Sequence, residues 1–190
     1  MWSAVEYAHA LLRERLRPGD WAVDATAGNG HDTLLLVQLT RPAGRVFAFD
    51  VQPQAIAVTR RRLESHGKPG QGYQLILASH ADMAAHLPEV PEHLYSAVIF
   101  NLGYLPGGDK SLITRPETTL PAVHGALALL RPGGLLLLVL YPGHEGGAEE
   151  AQALRDWALD LPAGQWQVTE YRTLNTGKPA PCVIAAEKVE

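Results

Sequence analysis

Two stretches of the chain hold residue types at spacings that suit chemistry. The first is Asp24-Ala25-Thr26-Ala27-Gly28-Asn29-Gly30-His31-Asp32-Thr33. Glycines at 28 and 30 permit positive backbone dihedrals and close approach of a ligand. A helix opening at Asp32 or Thr33 turns its free amides toward the same space. A dinucleotide fingerprint places a third glycine at position 33, where this chain has Thr33. Asp50 stands about twenty residues beyond the glycines, where a carboxylate accepts from both hydroxyls of a ribose. A ligand with a ribose and no pyrophosphate fits this combination, and S-adenosylmethionine is such a ligand. Asp24, Asn29 and the loop amides then face its amino-acid end. Gln52 flanks the ribose or adenine, and Ser79 and His80 line the adenine. A tight turn that binds nothing has the same local look; the loop and the distant carboxylate together favour the ligand.

The second stretch is Asn101-Leu102-Gly103-Tyr104-Leu105-Pro106-Gly107-Gly108-Asp109-Lys110. Asn101 and Tyr104 have the spacing of the Asn/Asp-Pro-Pro-Tyr loop of many enzymes that methylate amino nitrogens. An amide oxygen that accepts from N–H can aim a nitrogen lone pair along an S–CH3 axis. A tyrosine ring offers a face on which a nucleobase stacks. Such a site works mainly by positioning, with the reacting atoms about 3–3.5 Å apart, because a sulfonium is already a reactive donor. An alkyl amine must also lose a proton, which costs about 4 kcal/mol at pH 7. Asp109 is the first candidate to take it. Tyr141, His144 and Glu145, in Tyr141-Pro142-Gly143-His144-Glu145-Gly146-Gly147, form a second group.

These residues need elements that bring them together. Short runs rich in Val, Ile and Leu predict strands at Trp21–Ala25, Arg45–Asp50, Tyr73–Ala78, Ala97–Asn101, Leu135–Tyr141, Trp166–Thr173 and Cys182–Lys188. The first five are apolar on both pleat faces, as parallel strands covered by helices are. Helical periods cover Asp32–Leu39, Pro53–His66, Thr118–Leu130 and Ala148–Leu161. Leu34, Val37 and Gln38 begin one face, and Ala55, Val58, Arg62 and Leu63 another. An opening segment, Trp2 to Leu16, sets Val5, His9, Leu12 and Leu16 on one stripe and reads as a docking helix. Strand–helix alternation predicts a doubly wound, Rossmann-like α/β sheet with its ligand beyond the carboxyl ends of the strands. Only Leu174–Pro181 separates the last two strands, so a terminal hairpin makes one strand at that edge antiparallel. The pattern fits the seven-stranded, mostly parallel sheet of class I methyltransferases, with helices on both faces.

A length of 190 residues suits one domain, residues 1–190, and one sizeable core. A net charge of −4 argues against holding nucleic acid mainly by bulk electrostatics. One cysteine, Cys182, excludes an intramolecular disulfide and a cysteine-rich metal site. It opens an apolar strand, and methyl transfer has no use for it as a nucleophile. His80, Asp82 and His86 are the nearest approach to a metal pattern, and no metal is expected. No membrane-spanning run or signal-peptide pattern is evident, so the expected location is cytoplasmic.

Asp24 to Thr33, Asn101 to Lys110, Pro116-Glu117-Thr118-Thr119 and Tyr141-Pro142-Gly143-His144 together resemble a family of small class I methyltransferases labelled rRNA methylase-like. The resemblance spans essentially the whole chain, and the ten-residue stretch from Asn101 is its most specific part. Characterised members methylate the aminomethyl group of 5-aminomethyl-2-thiouridine at the tRNA wobble position. The resemblance therefore implies an N-methyltransferase using S-adenosylmethionine on a tRNA anticodon stem-loop. Two departures stand out: Ile113-Thr114 replaces a pair of threonines, and Cys182 replaces the aromatic residue of a Pro-Pro-Phe motif. Lys110, Arg115, Arg172 and Lys178 lie in segments leading to the reactive edge and are the expected phosphate contacts. Arg60-Arg61-Arg62 reads as a solvated helix face. With few cations, recognition should rest on a base splayed into the site. A methyltransferase for another RNA or a small amine is the alternative, and a non-catalytic adenosyl-ligand module is an alternative of another class. The oligomeric state, a homodimer included, is left open.

Overall fold

A computed structural model describes residues 1–66, 72–88, 95–103, 105, 107 and 113–189. Helix α1 (Ala4–Arg15) starts at a capping box: the Glu6 amide donates to the Ser3 hydroxyl, and the Ser3 amide donates to the Glu6 carboxylate at 2.8 Å. Strand β1 (Trp21–Asp24), helix α2 (His31–Thr40), strand β2 (Arg45–Asp50) and helix α3 (Pro53–Ser65) follow. Next come β3 (Tyr73–Leu77), a 3-10 turn over His80–Asp82, the short α4 (Met83–His86) and β4 (Tyr95–Leu102). The chain ends with α5 (Pro116–Leu129), β5 (Leu130–Leu140), α6 (Gly147–Leu159), β6 (Trp166–Arg172) and β7 (Cys182–Lys188).

The seven strands form one sheet in the order β3-β2-β1-β4-β5-β7-β6. Six run parallel; β7 is antiparallel to both β5 and β6. The expected reversed strand therefore lies one place inside the edge. The hairpin folds back between β5 and β6, so β7 is paired on both sides and β6 forms the edge.

The two-residue period of the strands divides the core into two layers. Ala97, Ile99, Leu135, Leu137 and Val139 face α1, α2 and α3. Val98, Phe100, Leu136, Leu138 and Leu140 face α4, α5 and α6. Each fully buried leucine contributes about 1.5–3 kcal/mol, so the centre of the sheet is a rigid base for whatever stands at its ends. β3 departs from the expectation of cover on both faces. As an edge strand it buries only Ile76, and Leu77 is 56% exposed.

Three helix faces also differ from the periodic reading. On α1 the fully covered residues are Ala4, Ala8 and Leu12, which leaves Val5 and His9 at the margin. On α2, Thr33, Leu36, Val37 and Thr40 are buried while Gln38 is exposed. On α3, Thr59 is buried and Val58 only partly covered. On α1 and α3 the small residues Ala4, Ala8, Ala55 and Thr59 are among those buried, so the stripe there is set by fit as well as by hydrophobicity. β5 begins five residues early, at Leu130, and runs through Arg131-Pro132-Gly133-Gly134, which reads as a break. Its pairing with β4 shifts register between Tyr95 and Ala97, an irregularity that absorbs the Pro-Gly-Gly segment.

Candidate active site

The ends of β1, β2 and β4 meet at a cavity of about 560 Å³. Its floor is the glycine loop between β1 and α2. Gly28 and Gly30 have φ of 52° and 78°, in the left-handed region. A Cβ on Gly30 would lie 2.8 Å from the Thr59 hydroxyl and 2.9 Å from its Cα. The close approach that requires glycine at 30 is therefore made by α3 rather than by a ligand. Arg62 adds to that brace, its Nε donating to the Asn29 carbonyl at 2.6 Å. This corrects the reading of the arginine run as wholly solvated.

Asp24 and Thr33 lie beneath the loop, and neither they nor Gly30 line the cavity. Asp24 is fully buried; one carboxylate oxygen accepts from the Thr33 hydroxyl at 2.5 Å and the other from the Thr26 amide at 3.1 Å. It clamps the loop to α2 in place of the expected contact with a ligand. Burial first, then the charge of Asp32, pushes its carboxyl up to about 7. Because the folded pKa is raised, this group's stabilising contribution is full below about pH 4 and is lost as pH rises through 7. Asp24→Asn should flatten that dependence. Thermal unfolding of wild type and variant from pH 5 to pH 8 reads it directly, and equal slopes would remove Asp24 as the source.

The cavity wall gathers most of the other expected cofactor residues: Gly28, Asn29, Asp32, Asp50 and Gln52 on one side, then Ser79, His80 and Asn101. Asp50 accepts from the Gly28 amide and the Gln52 amide, each at 2.9 Å, so both carboxylate oxygens are oriented by backbone. A carboxylate has about four acceptor positions, which leaves two for a diol. His80 packs edge-on against Phe100 with ring centroids 5.6 Å apart. Burial lowers its pKa, so it is a neutral imidazole, and its Nε2 is buried with no hydrogen-bond partner. A buried polar atom of this kind calls for a ligand group. An adenosyl ligand fits these residues: a nucleobase edge answers His80, and ribose hydroxyls answer Asp50.

On the opposite wall stand Asn101, Tyr141 and His144. The Asn101 amide donates to the Thr26 hydroxyl at 2.7 Å, which ties the end of β4 to the glycine loop. Its side-chain nitrogen donates to Asp32 at 3.1 Å. One N–H of the amide is committed in this way. The Tyr141 phenol is hydrogen-bonded to the Asn101 side chain, and burial, the larger effect, raises its pKa. It stays protonated near neutrality and cannot be the proton acceptor. His144 approaches Gly103, and Glu145 is exposed and away from the cavity.

Tyr104, Asp109 and Lys110 lie outside the described residues. The ends of their loop are joined, the Thr114 amide donating to the Gly103 carbonyl at 3.0 Å. Buried Glu150 holds the exit: it accepts from the Thr114 hydroxyl at 2.6 Å and the Thr119 hydroxyl at 2.7 Å. The hydroxyl at 114 is therefore kept, while Ile113 lines the cavity and packs near Gly146. Arg115 is exposed at the start of α5. Arg172 and Lys178 lie in a neighbouring depression that shares Pro179 with the main cavity. Cys182 is buried and its thiol is pushed up by burial, which makes it a packing residue. Among the described residues no cluster suited to a metal ion occurs, and no helix is long and apolar enough to cross a membrane.

Sheet order and glycine loop are those of a Rossmann-like methyltransferase fold. The family model described as "Putative rRNA methylase" matches residues 46–187, and the chain belongs to that family. The chain is similar to the tRNA (mnm(5)s(2)U34)-methyltransferase, chloroplastic, of Arabidopsis thaliana, with 38% identity over 90% of its own length. It spans 65% of that protein. The crystal structure of the "putative rRNA-methylase" of Clostridium thermocellum superposes with a TM-score of 0.93 at 34% identity, over 100% of this chain and 99% of that one. SMU.1697c of Streptococcus mutans, a "putative methyltransferase" solved in complex with SAH, superposes at 0.89 with 35% identity and the same coverage.

Proposed function

We propose that the protein methylates the aminomethyl nitrogen of 5-aminomethyl-2-thiouridine at the tRNA wobble position, using S-adenosylmethionine. The observation that carries this reading is the Asn101–Asp32 hydrogen bond at the meeting point of the adenosyl wall and the acceptor wall. The name of the Arabidopsis relative supports the nucleoside, and the SAH held by the Streptococcus protein supports the cofactor.

Gly28, Asp50 and Gln52 hold the adenosyl end, and Ser79 and His80 close over the base. The bound cofactor supplies an electrophilic methyl on a sulfonium. Asn101 accepts from the amine's N–H and turns its lone pair toward that methyl. Tyr141 and His144 narrow the acceptor side, and Arg115, Lys178 and Arg172 meet phosphates of a splayed loop. Holding the reacting atoms in line accounts for most of the acceleration.

The test is mass spectrometry of nucleosides from tRNA carrying 5-aminomethyl-2-thiouridine, after incubation with methyl-labelled S-adenosylmethionine. One labelled methyl on that nucleoside is expected. Label on a free small amine only, or cofactor binding with no turnover on any acceptor, would overturn the reading in favour of the corresponding alternative.

A further inference from the structure

Glu150 lies in the first turn of α6 and is only 2% exposed, yet it does not line the cavity. A buried carboxylate is costly unless hydrogen bonds meet it, and an apolar side chain would fill the same space without that cost. What a carboxylate adds is direction. Its two oxygens accept from two separate hydroxyls, Thr114 at 2.6 Å and Thr119 at 2.7 Å.

These bonds belong to a ring of contacts around the acceptor side. Thr114 lines the cavity, and its amide donates to the Gly103 carbonyl at 3.0 Å, just past the end of β4. The Glu150 amide donates to the Gly146 carbonyl at 3.1 Å, and the Gly147 amide donates to the His144 carbonyl at 3.0 Å. The His144 ring leads back to the start. A Cβ on Gly103 would lie 3.5 Å from its Nε2, and a Cβ on Gly147 would lie 2.9 Å from the same atom. The imidazole is therefore seated between the end of β4 and the beginning of α6, and Glu150 ties those two elements together through Thr114. Thr119 holds the second carboxylate oxygen to α5.

We infer that Glu150 is a positioning residue for the methyl transfer proposed above: through Thr114 it fixes how far the β4 end, with Asn101, stands from Tyr141 and His144. This inference rests on that functional reading. In-line attack tolerates little error, and a misplacement of about 1 Å costs about a hundredfold in rate. Glu150 acts through Thr114 and touches neither cofactor nor acceptor. Asp50 and Gln52 stand outside the ring, so cofactor affinity should not depend on it.

Thr114→Val is the informative variant, because it keeps the shape of the side chain and removes the hydroxyl that Glu150 holds. Its kcat on tRNA carrying 5-aminomethyl-2-thiouridine should fall by about 10–100-fold, with S-adenosylmethionine affinity unchanged. Thr114→Ser keeps the hydroxyl and should restore kcat. Thr119→Val is the control for a merely structural role. It takes an equal bond from the same carboxylate, so the melting temperature should fall about as far while kcat stays near wild type. Glu150→Ala should match Thr114→Val in kcat, and the double variant should lose no more than either. Amide hydrogen exchange reads the tie without turnover: in Glu150→Ala the Thr114 amide should exchange faster, and the Asn101 amide, bonded to Thr26, should not. Should Glu150→Ala fail to fold, the same exchange measurement on Thr114→Val replaces it. Unchanged kcat in Thr114→Val, an equal loss in Thr119→Val, or unaltered protection of the Thr114 amide would overturn the inference. A wild-type enzyme that methylates no aminomethyl nucleoside would instead defeat the functional reading, and the exchange result would still decide whether Glu150 holds the segment.

Discussion

Asp50→Ala should weaken S-adenosylmethionine binding by about a hundredfold or more while leaving the sheet intact. The size follows from the bonds at stake. A hydrogen bond to a charged group is worth about 1.5–3 kcal/mol, and a ribose diol makes two with one carboxylate. The carboxylate is also already aimed, since the Gly28 and Gln52 amides both donate to it at 2.9 Å. Removing it frees two backbone donors as well as the diol, so the glycine loop keeps its Ala27–Phe49 backbone bond to β2 at 2.7 Å but loses the Gly28–Asp50 one. Asp50→Asn separates these effects. It keeps one acceptor for the loop, gives up the charge, and should fall between wild type and alanine. Titration calorimetry reads all three. An alanine variant with wild-type affinity would contradict the assignment of the ribose to Asp50.

Asn101→Ala should show the opposite division of effects, with cofactor affinity within a few-fold of wild type and kcat lower by about 10²–10³. On the proposed reading Asp50, Gln52, Ser79 and His80 carry the adenosyl contacts, and the amide is not needed to hold them in place. The variant removes the acceptor that aims the amine, and it leaves the Asp32 oxygen that Asn101 now occupies without that donor. The Asn101 backbone contact to Thr26 survives, so the cradle keeps its shape. Asn101→Asp should be as damaging, because a second carboxylate then faces Asp32 at hydrogen-bonding distance. Single-turnover rates with saturating cofactor and modified tRNA make the comparison. Turnover near the wild-type value would take Asn101 out of the mechanism.

Described residues from both chemistry-bearing stretches, Gly28 and Asn29 from one and Asn101 and Gly103 from the other, line one cavity, and the physical reason is simple. In a parallel sheet with right-handed crossovers, every strand delivers its carboxyl end to the same edge. Asp50 and Asn101, each at or near a strand end, therefore meet even though fifty-one positions separate them in the chain. Roles that depend on depth were less legible. Asp24 looks like a loop carboxylate facing a ligand, yet the strand carries it under the loop, where Thr26 and Thr33 use both its oxygens. Gly30 and Arg62 looked like a ligand contact and a solvated charge, and each turns out to serve the packing of α3 on the loop.

Residue order alone was enough for the alternation of strand and helix, the reversed strand near the C-terminus and the glycine loop after β1. Each is written in short-range periodicity, or in motifs whose chemistry tolerates few substitutions. Only the folded chain decided which polar residues touch. His9 reads as one more position on an amphipathic stripe until α1 docks beside α2 and sets it against Asp32, twenty-three residues away. Glu150 carries no mark in the local sequence, and the fold buries it between two threonine hydroxyls. Hydrogen bonds between elements depend on docking angle and rotation about a helix axis, and local sequence specifies neither.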